Sequence, residues 1–395
     1  MSRPARRSSL LPRRQRRRHQ RSLWCKSTLG RLLLLLQPPP PEQRSAAPLL
    51  DGVTGNEGDS LLHVVAASGD GDEFLRCARM IYHGNKGLLV ARNKNGDTPL
   101  HCAAGAGNDK MISCLLDLAI TEAAAGDEAA VKRFVRARNE HGETALHRAV
   151  RAGSKGAMDV LMSVDDALAC VPRDGEQGAS PFYLAISLGE LDVARHLFLD
   201  ATKGKLSYSG SDGGNVLHAA VSRGRALPML LEWFKDVTVE KSTLVSELAS
   251  QRDKDGSTPL HLASSLEGWP DEKFPSKWFQ QVWQRSKSTT TLLLDANPCA
   301  AYQPDKQGLY PIHVAALVGS LQDVKTLLKR CPDCATLRDG KGRTFLHIAV
   351  EESYKVVRHI CLMPNLSSVL NMLDNNGDTA LHRAVHVGNL SVFSC

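Results

Sequence analysis

Aromatic residues make up only 5% of this 395-residue chain, so a core has to be built from Leu, Ala, Val and Ile. No purely apolar run is longer than that of Leu32 to Leu36. That is far short of the roughly 20 residues a spanning helix needs, and no transmembrane segment is expected in the chain as written. Ten cysteines are scattered without a secretory signal ahead of them, which speaks against a disulfide scaffold. No phosphate-cradling P-loop, Gly-x-Ser-x-Gly elbow or kinase signature set is present. Nothing resembles a nucleophile, a base or a cofactor cradle. The expectation is therefore no catalytic residue, no cofactor, no metal and no small-molecule substrate.

What is present begins with an uneven charge. Residues 1–45 hold eleven Arg, one Lys and a single acid, Glu42, whereas 46–395 carry a net charge of −4. Because the basicity sits in the arm, the overall charge of +7 does not point to a specific nucleic-acid partner. Clustered arginines (Arg13, Arg14, Arg16, Arg17, Arg18) are followed by Pro38–Pro41. Like charges repel and proline cannot continue a helix, so residues 1–51 are expected to be a disordered arm and linker, with a folded domain over 52–395. The arm fits an organelle transit peptide, a nuclear import or polyanion-contact signal, or a plain solvated tail.

From Gly58 onward one phrase recurs. Its copies are Ser60-Leu61-Leu62-His63, Thr98-Pro99-Leu100-His101, Thr144-Ala145-Leu146-His147, Ser180-Pro181-Phe182-Tyr183 and Asn215-Val216-Leu217-His218. They continue as Thr258-Pro259-Leu260-His261, Tyr310-Pro311-Ile312-His313, Thr344-Phe345-Leu346-His347 and Thr379-Ala380-Leu381-His382. Successive His positions are 38, 46, 36, 35, 43, 52, 34 and 35 residues apart, counting Tyr183 as the fourth. Each residue type has a physical task. A Gly two residues ahead of the Thr suits a tight turn. Thr or Ser caps the helix that follows, and Pro tolerates its first turn. Leu points into the core. A second helix follows, with apolar residues at helical spacing as in Val324-Leu327-Leu328. One helix pair cannot bury its own apolar face, but stacked pairs make a continuous core. The imidazoles are expected to bond to the Thr hydroxyl and nearby backbone, because repeats stacked about 10 Å apart cannot bring them to one ion.

The phrase and its period resemble the ankyrin repeat, which implies an all-α solenoid of about nine helix-turn-helix repeats with β-hairpin loops. Three stretches resemble a narrower family: Gly96-Asp97-Thr98-Pro99-Leu100-His101-Cys102-Ala103-Ala104, Cys331-Pro332-Asp333-Cys334-Ala335-Thr336 and Arg338-Asp339-Gly340-Lys341-Gly342-Arg343-Thr344-Phe345-Leu346-His347. Together they are similar to the plant ankyrin-transmembrane proteins of the accelerated-cell-death type, over about residues 55–395. That resemblance implies residence at the cytoplasmic side of the plasma membrane and a part in defence and salicylate-linked cell-death signalling. It also implies further membrane spans, which are not in this chain. Here the sequence ends just after the first helix of the ninth copy, where Val385, Val387, Leu390, Val392 and Phe393 are expected to leave an apolar face.

The remaining motifs have plainer readings. Cys331-Pro332-Asp333-Cys334 is a lone CxxC, expected to be a connector between repeats. Asp374-Asn375-Asn376-Gly377-Asp378 lacks the twelfth-position Glu of a calcium loop and is expected to be a hairpin tip. The Ala/Glu-rich stretch Thr121–Arg133 is expected to lengthen a second helix. Trp269, Phe274, Trp278, Phe279 and Trp283 are read either as an exposed interaction patch or as the inward face of a longer helix.

The function expected is a non-enzymatic protein-binding scaffold, with partners meeting a concave surface of hairpin tips and first helices. Candidate contact residues are Lys94, Asn95 and Asp97; Glu140, His141, Glu143 and Arg151; Lys254, Asp255 and Ser257; then Lys306, Gln307, Lys341, Arg343, Glu351 and Glu352. Their mixed signs suit a polar protein surface. Two alternatives stand beside this one: the cytosolic part of a membrane signalling or transport component, and a soluble regulator directed to nucleus or organelle by the arm.

Overall fold

The computed structural model describes residues 53–54, 57–123, 127–172, 178–200, 206–235, 237–239, 242–266, 288–363 and 366–388. The arm and the tryptophan-rich stretch 269–283 lie outside the described residues. The chain divides into two compact units, Met1–Glu176 with Asp192–Ser207, and Gln177–Leu191 with Tyr208–Cys395. Both are all-α stacks of helix pairs.

In the first unit the first helices of successive repeats, Leu61–Ser68, Pro99–Ala106 and Ala145–Ala152, pack side by side. The second helices Asp72–Gly84, Asp109–Glu122 and Lys155–Val164 pack behind them. Leu62, Leu100 and Leu146, the Leu of each phrase, are fully buried. Burying one such side chain contributes about 1.5–3 kcal/mol, which is why a short eight-residue helix persists here and not alone in water. The stretch Thr121–Arg133 departs from expectation. Rather than one lengthened helix, the structure has Asp109–Glu122 and then a separate helix, Glu128–Val135. The physical cause is Asp127, whose carboxylate accepts the amide of Ala130 (2.9 Å) and so starts a new helix.

The second unit repeats the design. Its first helices are Pro181–Leu188, Val216–Val221, Pro259–Ser265, Pro311–Leu317, Phe345–Glu352 and Ala380–Val387. Second helices include Ala226–Phe234, Thr289–Ala296, Leu321–Arg330 and Tyr354–Cys361. Tyr208, Phe182 and Phe234 pack edge to face, filling one end of this core with the few aromatics available. Cys331-Pro332-Asp333-Cys334 opens the 3₁₀ connector Pro332–Thr336, the counterpart of Pro298–Tyr302 one repeat earlier, so the connector reading holds. Among the described residues strand is confined to the two-residue ladders Val53–Thr54 with Asp59–Ser60 and Thr238–Val239 with Ser242–Thr243. Among the described residues no helix is long and apolar enough to cross a membrane.

Candidate protein-binding face

At six junctions between repeats an imidazole acts as the fastener. The Nδ1 of His63 accepts the backbone N–H of its own helix cap, Ser60 (3.2 Å), which leaves the proton on Nε2. Nε2 then donates to the carbonyl of Asp97 in the next repeat (2.7 Å). His101 bonds in the same way to Thr98 and to the Glu143 carbonyl (3.0 Å). In the second unit His218, His261, His313 and His347 reach the carbonyls of Ser257, Leu309, Arg343 and Asp378 at 3.0–3.1 Å. Burial lowers the pKa of all six, and takes His313 to about 4. They are neutral fasteners.

The hairpin tips are fastened separately. Asn93, Asn139, Asp253, Asp305, Asp339 and Asp374 each accept two backbone amides through one side-chain oxygen, closing the tip. The hairpin reading of Asp374–Asp378 therefore holds. Neighbouring tips are laced by a backbone bond, such as Glu140 N–H to Asn95 (2.9 Å) or Lys306 N–H to Asp255 (3.0 Å). The turn leaves no room for a side chain, as two tips illustrate. Gly96 has φ +71 and Gly308 φ +80, and a Cβ there would meet the amides of Glu140 at 2.6 Å and Gly340 at 2.5 Å.

Against this rigid frame the candidate contact residues separate by environment. Lys94, Asn95, Glu140, His141, Lys254, Asp255, Lys306, Gln307 and Lys341 stand exposed at tips, with Arg151 and Glu352 exposed on first helices. Asp97 and Glu143 are turned inward and buried. Asp97 accepts from Asn139 Nδ2 (2.8 Å) and lies 3.4 Å from the Arg148 guanidinium. Burial acts to raise the Glu143 carboxyl, but Arg151 at 2.7 Å outweighs it and the net pKa is lowered. Ser257, Arg343 and Glu351 are half-buried. Arg343 is held by Asp339 (2.8 Å), and Glu351 accepts from Arg383 Nε (2.9 Å).

The second unit also has an open groove of about 380 Å³ beside these tips. Lys254 and Asp255 line it together with Tyr183, Ala219, Ser222 and Arg223, which sequence reasoning did not single out. A signal for it existed: the fourth copy departs from the phrase by carrying Tyr183 in place of His, and the fifth places the small residues Ala219 and Ser222 on the groove wall.

Capped helix pairs, imidazole fasteners and laced hairpins are the features of one repeat family, and matches to family models agree. Residues 280–366 match a model of ankyrin repeats in three copies, and residues 95–125 match the single ankyrin repeat. This is an ankyrin-repeat protein. Among curated relatives, the ankyrin-repeat chain is 28% identical over 229 residues to the human transient receptor potential cation channel subfamily A member 1, covering 57% of this chain and 18% of that one. It is 33% identical over 147 residues to the probable 26S proteasome regulatory subunit p28 of Saccharomyces cerevisiae, covering 37% and 56%. Human NF-kappa-B inhibitor alpha matches at 35% over 86 residues, covering 21% and 27%. The ankyrin chain thus spans less than two thirds of each of these relatives.

Proposed function

We propose that the chain is a non-enzymatic scaffold that binds protein partners through its hairpin tips and the adjoining concave side of its first helices. One observation carries this reading. At tip after tip the closing residue and the backbone are locked, while the next two side chains are left exposed and differ from repeat to repeat. A pre-ordered frame with variable exposed side chains lowers the entropy cost of recognition. Asp97, Glu143, Arg343 and Glu351 hold that frame, and the exposed members of the candidate set meet the partner. Two relatives are named for action on other proteins, a proteasome regulatory subunit and an inhibitor of NF-kappa-B, which supports the same class of function. The setting in plant defence signalling rests on the sequence resemblance described above.

Charge reversal at three tips of one unit, Lys254→Glu, Lys306→Glu and Lys341→Glu together, tests the surface. Proteins retained from an extract by the immobilised wild type should be lost from the triple variant at unchanged melting temperature. Retention of the same proteins by both would place the contact elsewhere. A second reading, the cytosolic portion of a membrane component, is favoured by the match over 229 residues to a protein named as a cation channel subfamily member. An open reading frame with membrane spans beyond Cys395 would support it.

A further inference from the structure

The second helices differ in charge. Asp72–Gly84 sets Asp72 and Glu73 against Arg76 and Arg79, Asp109–Glu122 carries three acids against Lys110, and Thr289–Ala296 has only Asp295. Two neighbouring second helices reverse this balance. In Leu321–Arg330 the buried residues are Asp323, Val324, Leu327 and Leu328, which leaves Lys329 exposed and Lys325, one turn before it, half-buried on the same side. The only acid of that helix, Asp323, is turned in to Thr290 and Ser320 (both 2.6 Å). In Tyr354–Cys361 the buried residues are Val356, Val357 and Ile360, which puts Lys355 and Arg358 outward. Leu362 follows, and at 75% it is the most exposed large apolar side chain among the described residues.

The two helices pack on each other, and Lys325 lies near enough to His359 to help lower its pKa, after burial. Arg330 is neutralised by Asp295 (2.9 Å), but among the described residues Lys325, Lys329, Lys355 and Arg358 have no carboxylate partner. Like charges one turn apart destabilise a helix. Here they are kept, on a body whose net charge outside the arm is −4.

We propose that this face, Lys325, Lys329, Lys355 and Arg358 with Leu362 at its edge, is where the chain lies against an anionic lipid bilayer. It is separate from the tip surface. Charge of one sign also suits an acidic protein patch, so the alkyl stems and the exposed leucine decide between the two. Among the described residues this face has one sign and long alkyl stems, with an apolar side chain at its end. That composition suits the interface of a bilayer, where basic side chains meet lipid phosphates and an apolar one enters the acyl boundary.

The full chain is compared with the triple variant Lys325→Glu, Lys329→Glu, Arg358→Glu, and with its milder Gln counterpart should the first fold poorly. All carry Arg13→Gln, Arg14→Gln, Arg16→Gln, Arg17→Gln and Arg18→Gln, so that the basic arm does not mask the face. Co-sedimentation uses vesicles of phosphatidylcholine, alone or with about 30% phosphatidylserine, at about 0.1 M salt. The parent should bind the anionic vesicles only, with a partition coefficient at least about tenfold above that of the Glu variant and a few-fold above the Gln variant. Partition unchanged within about twofold, or equal binding to neutral vesicles, overturns the proposal. So does capture of the parent by soluble polyglutamate without vesicle binding, which would assign the face to an acidic protein.

Discussion

Two neighbouring first helices of the second unit, Phe345–Glu352 and Ala380–Val387, carry almost the same phrase and meet different fates. Leu346, Val350 and His347 are 0–2% exposed, whereas their counterparts Leu381 and Val385 are 56% and 59% exposed and His382 is exposed as well. Caps and turns are alike in both: Thr344 and Thr379 sit at equivalent positions, each giving its backbone N–H to the imidazole three residues on (3.2 Å). Local sequence builds the helix, and the repeat packed against it decides burial. Among the described residues Ala380–Val387 has such a neighbour on one side only, through Ala380 and Ala384.

The largest test of that comparison is truncation of the two leucines. Leu346→Ala should cost about 2–5 kcal/mol, because a filled site loses its side chain and keeps the cavity. Leu381→Ala should cost no more than about 0.5 kcal/mol. Urea unfolding of both variants reads the difference. Equal losses would mean that Ala380–Val387 is covered in solution.

Acid should be the next strongest lever, and it acts through the junctions rather than the edge. His63, His101, His218, His261, His313 and His347 have pKa values below the ordinary 6.5, so the unfolded chain takes up protons that the folded chain refuses. The stability at stake is intact above about pH 6.5 and is lost as pH falls below it, down to about 4 for His313, at up to about 1.4 kcal/mol per pH unit for each imidazole. Melting temperature should therefore drop steeply from pH 7 to 5. His347→Gln should flatten that slope. A slope unaffected by His347→Gln would remove the fasteners from the account.

Much of this was legible in the sequence because the phrase is itself a set of local rules. A cap, a Pro or Ala, a buried Leu and a His three residues after the cap all act within one helical turn, so the repeat, the helix starts and the tips at Asp339 and Asp374 could be read directly. What escaped depends on neighbours. Asp97 and Glu143 precede their caps as tip residues do, but the groups that draw them inward, Asn139, Arg148 and Arg151, lie 8–51 residues away along the chain. The break in Thr121–Arg133 was legible in principle, since Asp127 ahead of Glu128 is a start signal, but the alanines on either side read as one long helix. Lys325 and Arg358 were passed over because a face of one charge forms only when two second helices align.

The smallest effect separates two adjacent residues first grouped as contacts. Glu351 is half-buried between two guanidinium groups: it accepts from Arg383 Nε and lies 3.8 Å from Arg343. Glu352, next along, is exposed. Glu351→Gln removes the negative charge between two cations but leaves Arg343 its bond to Asp339, so the loss should be about 1 kcal/mol and should shrink in high salt. Glu352→Gln should change stability by less than about 0.5 kcal/mol. If partner capture is instead sensitive to Glu352→Gln and indifferent to Glu351→Gln at matched stability, the first helix divides its labour residue by residue, one carboxylate bracing the stack and the next facing the ligand. Denaturant titration in low and high salt, run beside the capture assay, distinguishes the two roles, and equal salt-sensitive losses for both would put Glu352 into the frame as well.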